Sequence, residues 1–123
     1  MIATKDLRMV RGQTLRLAVT VKDHNQARVS LTGATIHLRV RPDPKAAPVI
    51  TLSSPATGIT IAADQVGTTK GDCTATIAPS LTASLPVGDY VYDLWIVDAA
   101  ADRFPVVAPS RLTILPEVTT IAP

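Results

Sequence analysis

The chain is poor in the residue types that carry most protein chemistry. Among its 123 residues there is one cysteine, Cys73, and there are two histidines, His24 and His37. A single cysteine excludes an internal disulfide and any zinc site built from several thiolates. Two histidines leave little material for an imidazole-based centre. Aromatic residues make up only 3% of the chain, so valine, leucine, isoleucine and alanine must build the core. Charge of one sign is also scarce: the net charge is +2, too mild to imply nucleic-acid binding. No segment approaches the roughly 20 apolar residues needed to span a bilayer. The N-terminus, Met1-Ile2-Ala3-Thr4-Lys5-Asp6-Leu7-Arg8, has no continuous apolar stretch after its basic start, so no signal peptide is read there.

What is present is a hydrophobic fraction of 46%, ten prolines and many threonines. That length and composition give one folded domain able to bury a core without disulfides or metals. Prolines and β-branched residues favour short strands and punctuated turns over long helices. Charge is unevenly placed. Residues 1–45 hold nine Lys/Arg against three Asp, and residues 46–123 hold three Lys/Arg against seven Asp/Glu. The two halves can pack against each other or be presented to neighbouring copies.

Two-residue alternation marks the strands. Leu15, Leu17, Val19 and Val21 form one face of a strand over 14–22. Ala34, Ile36, Leu38 and Val40 form the inner face of another over 34–41, with Thr35, His37, Arg39 and Arg41 outward. Short strands are expected over 49–52 and 59–61, and a further one over 73–78 has Cys73, Ala75 and Ile77 inward. The segment 79–85 is the one plausible helical turn, with Ser80 as a candidate cap and Leu81 and Leu85 on one face. Residues 90–97 are the longest apolar run and suit a central strand, with Tyr90, Tyr92, Leu94 and Ile96 inward. Two last strands are expected over 104–108 and 111–115. Together these give an all-β, antiparallel sandwich of seven to nine short strands with one short helical turn near 80–85. The division reads as an N-terminal arm over 1–8, the sandwich over 9–115 and an extended tail over 116–123.

The candidate functional residues follow from this pattern. Gly88 and Tyr90, in Leu85-Pro86-Val87-Gly88-Asp89-Tyr90, look like the tyrosine corner of immunoglobulin-like sandwiches, where the phenol bonds back to nearby backbone. Trp95 falls on the outer face beside Asp93. It reads either as an interface anchor or as a ring covered by its own chain. His37, Arg39 and Arg41 make an outward basic row, with Arg16 as a candidate neighbour. The row is either a solvated sheet face or an ion-pair surface for an acidic partner. Little aromatic interleaving accompanies it, so no nucleic-acid partner is expected. Cys73 reads as a buried small hydrophobe, and His24 sits in a polar turn beside no nucleophile motif. Asp98 and Asp102 bracket too few oxygens for Ca²⁺. No metal, cofactor or catalytic set is therefore expected, and the chain is read as no enzyme.

The order of these features resembles the immunoglobulin-like domains of bacteriophage virion proteins, in particular the N-terminal domain of phage baseplate upper proteins. The residues that carry the resemblance are Arg11-Gly12-Gln13-Thr14-Leu15-Arg16-Leu17, Val29-Ser30-Leu31-Thr32-Gly33-Ala34 and Arg39-Val40-Arg41. Leu81 to Leu85, Gly88-Asp89-Tyr90-Val91-Tyr92-Asp93-Leu94 and Leu112-Thr113-Ile114-Leu115-Pro116-Glu117-Val118-Thr119 complete it. The resemblance implies an immunoglobulin-like fold. It also implies a non-enzymatic virion role, in capsid decoration or a head accessory, or in the tail or baseplate. Partners are then other virion proteins, with self-association an open option and no membrane involved. Such a protein is made in the host cytoplasm and released by lysis, which accounts for a sandwich without an export signal. The expected contact residues are His37, Arg39, Arg41, Asp93 and Trp95, with Pro116, Val118 and Ile121 of the tail. The alternative is a carbohydrate- or host-surface-binding module of a phage particle, with Trp95 or Tyr92 stacking on a sugar.

Overall fold

The computed structural model describes residues 4–23, 25–54, 58–62, 65, 67 and 70–118. Among them are eight strands and one short helix. The strands are β1 (Leu7–Val10), β2 (Leu15–Thr20), β3 (Thr35–Arg41), β4 (Ile50–Ser53), β5 (Ile59–Ile61), β6 (Asp72–Ile77), β7 (Gly88–Val97) and β8 (Arg103–Leu115). The helix is α1 (Pro79–Thr82). They form two sheets, a five-stranded one in the order β1-β8-β7-β3-β4 and a three-stranded one in the order β2-β6-β5. All pairings are antiparallel except β1 with β8. The second, fifth and sixth strands on one sheet and the third, seventh and eighth on the other make an immunoglobulin-like sandwich.

Alternation supplies the core, as the sequence pattern requires. Ile36, Leu38 and Val40 of β3 and Tyr90, Tyr92, Leu94 and Ile96 of β7 are all buried. They face Leu17, Cys73, Ala75 and Ile77 of the smaller sheet. An apolar space of about 10 Å³ remains between the sheets beside Leu38, Tyr92 and Leu112, hardly room for one water. Gly71 closes the β6 end of the smaller sheet. It has φ +83°, and a Cβ there would lie 2.6 Å from the Val21 carbonyl oxygen. Only glycine fits that approach.

Four local expectations are corrected. First, β1 begins at Leu7, inside the stretch read as an arm. Its edge is held by Leu112–Leu115, more than a hundred residues away, so no local pattern marks it. Second, the two strands expected over 104–115 are one long strand. Pro105 keeps its place opposite Trp95, Pro109 falls where the pairing slips, and the register shifts lie between Tyr92 and Leu94 and between Leu94 and Trp95. Third, the helix spans Pro79–Thr82 and is entered from Ala78 with no side-chain cap, so Ser80 caps nothing. Thr82 is instead the buried anchor of this turn, its hydroxyl accepting the Gly12 N–H at 3.0 Å. Fourth, Arg16 is on β2, in the opposite sheet from the His37 row, and is not its neighbour.

Candidate interaction surface

The outer face of the five-stranded sheet gathers most of the residues singled out by sequence. Register sets His37 opposite Trp95, Arg39 opposite Asp93 and Arg41 opposite Val91. On the far side, β8 brings Arg103 opposite Val97 and Arg111 opposite Val91, and β1 brings Arg8 opposite Thr113. Five of the chain's eight arginines therefore lie on this one face, interrupted by Asp93 and by Asp89, which pairs with Arg111 at 4.0 Å, while Asp6 at the β1 edge accepts the Arg111 backbone N–H at 3.0 Å. The outer face of the smaller sheet carries Arg16 beside Ala18, Asp72 and several threonines, and there Asp72 is paired with Arg28 at 3.0 Å.

The side chains are held in place by backbone. Arg39 donates from Nη1 to the carbonyls of Leu38 at 3.2 Å and Leu52 at 3.0 Å, and Arg41 donates from Nη1 to Ala46 at 2.8 Å. The proline-bearing loop 42–48 thus fixes Arg41. Among the described residues no carboxylate lies within ion-pair distance of either guanidinium. Asp93 accepts instead from the Trp95 indole N–H at 3.0 Å. Trp95 is 38% exposed, so its ring is half open to solvent rather than covered by its own chain. Next to it, the irregular pairing at Pro109 leaves a shallow groove of about 100 Å³ lined by Arg39, Arg41, Pro44, Val91, Asp93 and Pro109.

His37 sits under this surface. Its Nε2 is 3.2 Å from the Thr35 hydroxyl, while Nδ1 is buried without a partner. Burial, then the fields of Arg39 and Arg103, hold its pKa below the ordinary value, favouring the neutral ring.

The other candidates separate. The Tyr90 hydroxyl donates to the Pro86 carbonyl at 2.6 Å, four residues upstream, which is the geometry of a tyrosine corner. Tyr92 is buried, and its hydroxyl donates to the Lys5 carbonyl, so it offers no ring for a sugar. Burial, with the Asp6 charge adding, pushes its pKa up to about 12. Cys73 is buried, and desolvation and then Asp72 push its thiol up to about 11, far from a reactive thiolate. The Asp98 carboxylate accepts the backbone N–H groups of Ala100 and Asp102, so it closes its own turn. Among the described residues no three His, Cys, Asp or Glu side chains cluster as metal ligands would. His24 and Ile121 lie outside the described residues. Pro116 and Val118 are exposed, and between them Glu117 is clasped by Arg11, at 2.6 Å through Nη2 and 3.2 Å through Nε. Sequence reasoning missed this clasp, and it missed Arg8, Arg103 and Arg111 of the face. Each stands alone in the sequence, and only the sheet register assembles them.

Fold and surface together define an immunoglobulin-like β-sandwich with a cationic, tryptophan-bearing sheet face. No family model matches the chain, and no curated protein matches it. Among solved structures it is similar to the crystal structure of CopC from Methylosinus trichosporium OB3b, at 13% identity, covering 94% of this chain and 89% of that one, with a TM-score of 0.45. The sandwich is established by its own strand order rather than by that likeness.

Proposed function

We propose that this domain is a non-enzymatic structural component of a bacteriophage particle, a capsid decoration or head accessory or a tail or baseplate part. It acts through repeated protein–protein contacts. The resemblance of its strand-by-strand sequence pattern to phage virion domains supports the particle. The outer face of the five-stranded sheet supports the contact role, because arginine and a half-exposed tryptophan are the residue types that anchor interfaces. Many copies on a symmetric particle add avidity, so each contact can be small. The half-exposed Trp95 ring on this face supports the second reading, a module that binds host-surface carbohydrate.

The test is made on particles from cells carrying this gene. An antibody raised against the domain should detect it in gradient-purified particles, and deletion of the gene should leave particles lacking a component or failing to assemble. Recovery of the protein only in the soluble fraction, with intact infectious particles formed without it, would overturn the proposal. Saturable binding to host glycans that is lost in Trp95→Ala would favour the second reading.

A further inference from the structure

We infer that the outer face of the five-stranded sheet is a docking surface for an acidic protein segment, with Arg39 and Arg41 as its carboxylate forks and Trp95 as its apolar anchor. The inference rests on the reading of the domain as a contact module, not on the particle it belongs to. Three observations lead to it. The face concentrates five arginines and no lysine against Asp89 and Asp93 on β7 and Asp6 at the β1 edge, and of these arginines Arg111 is paired with Asp89. Arg39 and Arg41 are each fixed through Nη1 to backbone carbonyls and have no carboxylate of their own among the described residues. Both line a shallow groove on this face, beside Val91 and Pro109.

The geometry selects the occupant. A guanidinium held by one nitrogen still offers Nε and Nη2, the edge that matches a planar carboxylate with two parallel hydrogen bonds. Because the backbone already positions both side chains, little rotamer entropy is lost on docking. A phosphate backbone suits the face less well. Asp93 lies in the groove and Asp89 further along the same strand, so a continuous line of phosphates would meet like charge. A protein segment can set its own donors against those carboxylates and its acids against the arginines. Thr113 already occupies Asp89 at 2.8 Å, and Trp95 occupies Asp93. Asp89 also pairs with Arg111 at 4.0 Å. Both acids therefore have partners in the free domain, while Arg39 and Arg41 have no carboxylate among the described residues.

Trp95 is the chain's single tryptophan and lies on this face, so its fluorescence reports binding there directly. The protein is titrated at low ionic strength with a capped glutamate octamer and, separately, with an oligothymidylate of matched charge. The expected result is a saturable change in Trp95 emission with the peptide, weakened by added salt. Arg39→Gln with Arg41→Gln should weaken it about tenfold or more. Arg16→Gln, on the opposite sheet, should leave it unchanged. Arg39→Lys with Arg41→Lys keeps the charge and loses the fork, so it should restore only part of the affinity. The inference is overturned by no response to the peptide, by a response indifferent to the Arg39/Arg41 changes in folded variants, or by tighter binding of the oligothymidylate. Peptide failure with the protein still found in particles sinks this inference alone. Peptide binding with the protein absent from particles sinks the particle assignment alone.

Discussion

Arg39 and Asp93 stand directly opposite each other on adjacent strands and do not form an ion pair. The Asp93 carboxylate takes the Trp95 indole N–H at 3.0 Å, and the Arg39 guanidinium takes the carbonyls of Leu38 and Leu52. Opposite charges facing across a sheet ordinarily stabilise the pair. Here each has a competing local partner, and the cation is left available on its outer edge. A double-mutant cycle with Asp93→Asn and Arg39→Gln should therefore give a coupling under about 0.5 kcal/mol despite the adjacency. Urea denaturation measures it. A coupling above about 1 kcal/mol would mean that the two side chains meet in solution, and the free-guanidinium argument would fail.

The tyrosine corner makes a separate prediction. Tyr90 is 6% exposed, and its hydroxyl spans from the start of β7 to Pro86, tying the α1–β7 connection to the sheet. Tyr90→Phe removes that bond without changing the buried ring, leaving the Pro86 carbonyl to water. The expected loss is about 1 kcal/mol, seen as a lower urea midpoint at unchanged slope. Peptide binding at the Arg39/Arg41 groove should be unaffected. Stability equal to the parent would show that the corner contributes nothing.

Alkaline conditions test the buried groups. Cys73 and Tyr92 both have raised pKa values in the folded protein, about 11 and about 12, because burial disfavours their anions. The folded state then holds protons that the unfolded chain releases. Their contribution is full below the unfolded values, near 8.5 for a thiol and 10 for a phenol. It is lost as pH rises through the folded values. The urea midpoint should hold to about pH 8 and fall steadily above it, with Cys73→Ala flattening the first part of the decline. At pH 8 a disulfide reagent should label Cys73 only after denaturant is added. Rapid labelling of the native protein would contradict the burial.

Much of this arrangement was legible in the sequence, for an identifiable reason. Where a strand has one face on the core, period two is strict, and β2, β3, β6 and β7 could be read with the correct inward set. Tyr90, Tyr92, Leu94 and Ile96 are the clearest case. Facing was legible, but neighbourhood was not. Alternation puts His37, Arg39 and Arg41 outward, yet it cannot say which strand lies beside them. Hence Arg16 was expected near the row and lies on the other sheet. β1 escaped because four residues, Leu7–Val10, are too few to display a period and pair with a strand at the far end of the chain. β8 was split in two because proline removes a ladder donor, although irregular pairing carries this strand past Pro105 and Pro109.

The acid side turns on His37. Its ring is partly enclosed among Thr35, Trp95 and Ser53, with Arg39 and Arg103 as the nearby charges, and its Nδ1 has no partner. Burial disfavours the charged ring, and protonation would also place a cation beside Arg39 and Arg103, so the folded pKa lies below the ordinary value near 6.5. The unfolded chain binds this proton first. Stability is therefore full above about pH 7 and falls as pH drops through the unfolded value toward the folded one, with ∂ΔG/∂pH positive across that window. Glu117, held low by its hydrogen bond to Arg11, adds a loss of the same sign only once pH falls through the ordinary carboxylate value toward its lower folded one. The two are separated by pH and by variant. Urea midpoints at pH 7.5 and 5.5 should differ in the parent and converge in His37→Gln, whose amide stays neutral at both. If the pH 5.5 decline persists undiminished in a folded His37→Gln protein, the proton is taken up elsewhere, and the enclosed, unpartnered ring plays no part in the acid sensitivity of the sheet.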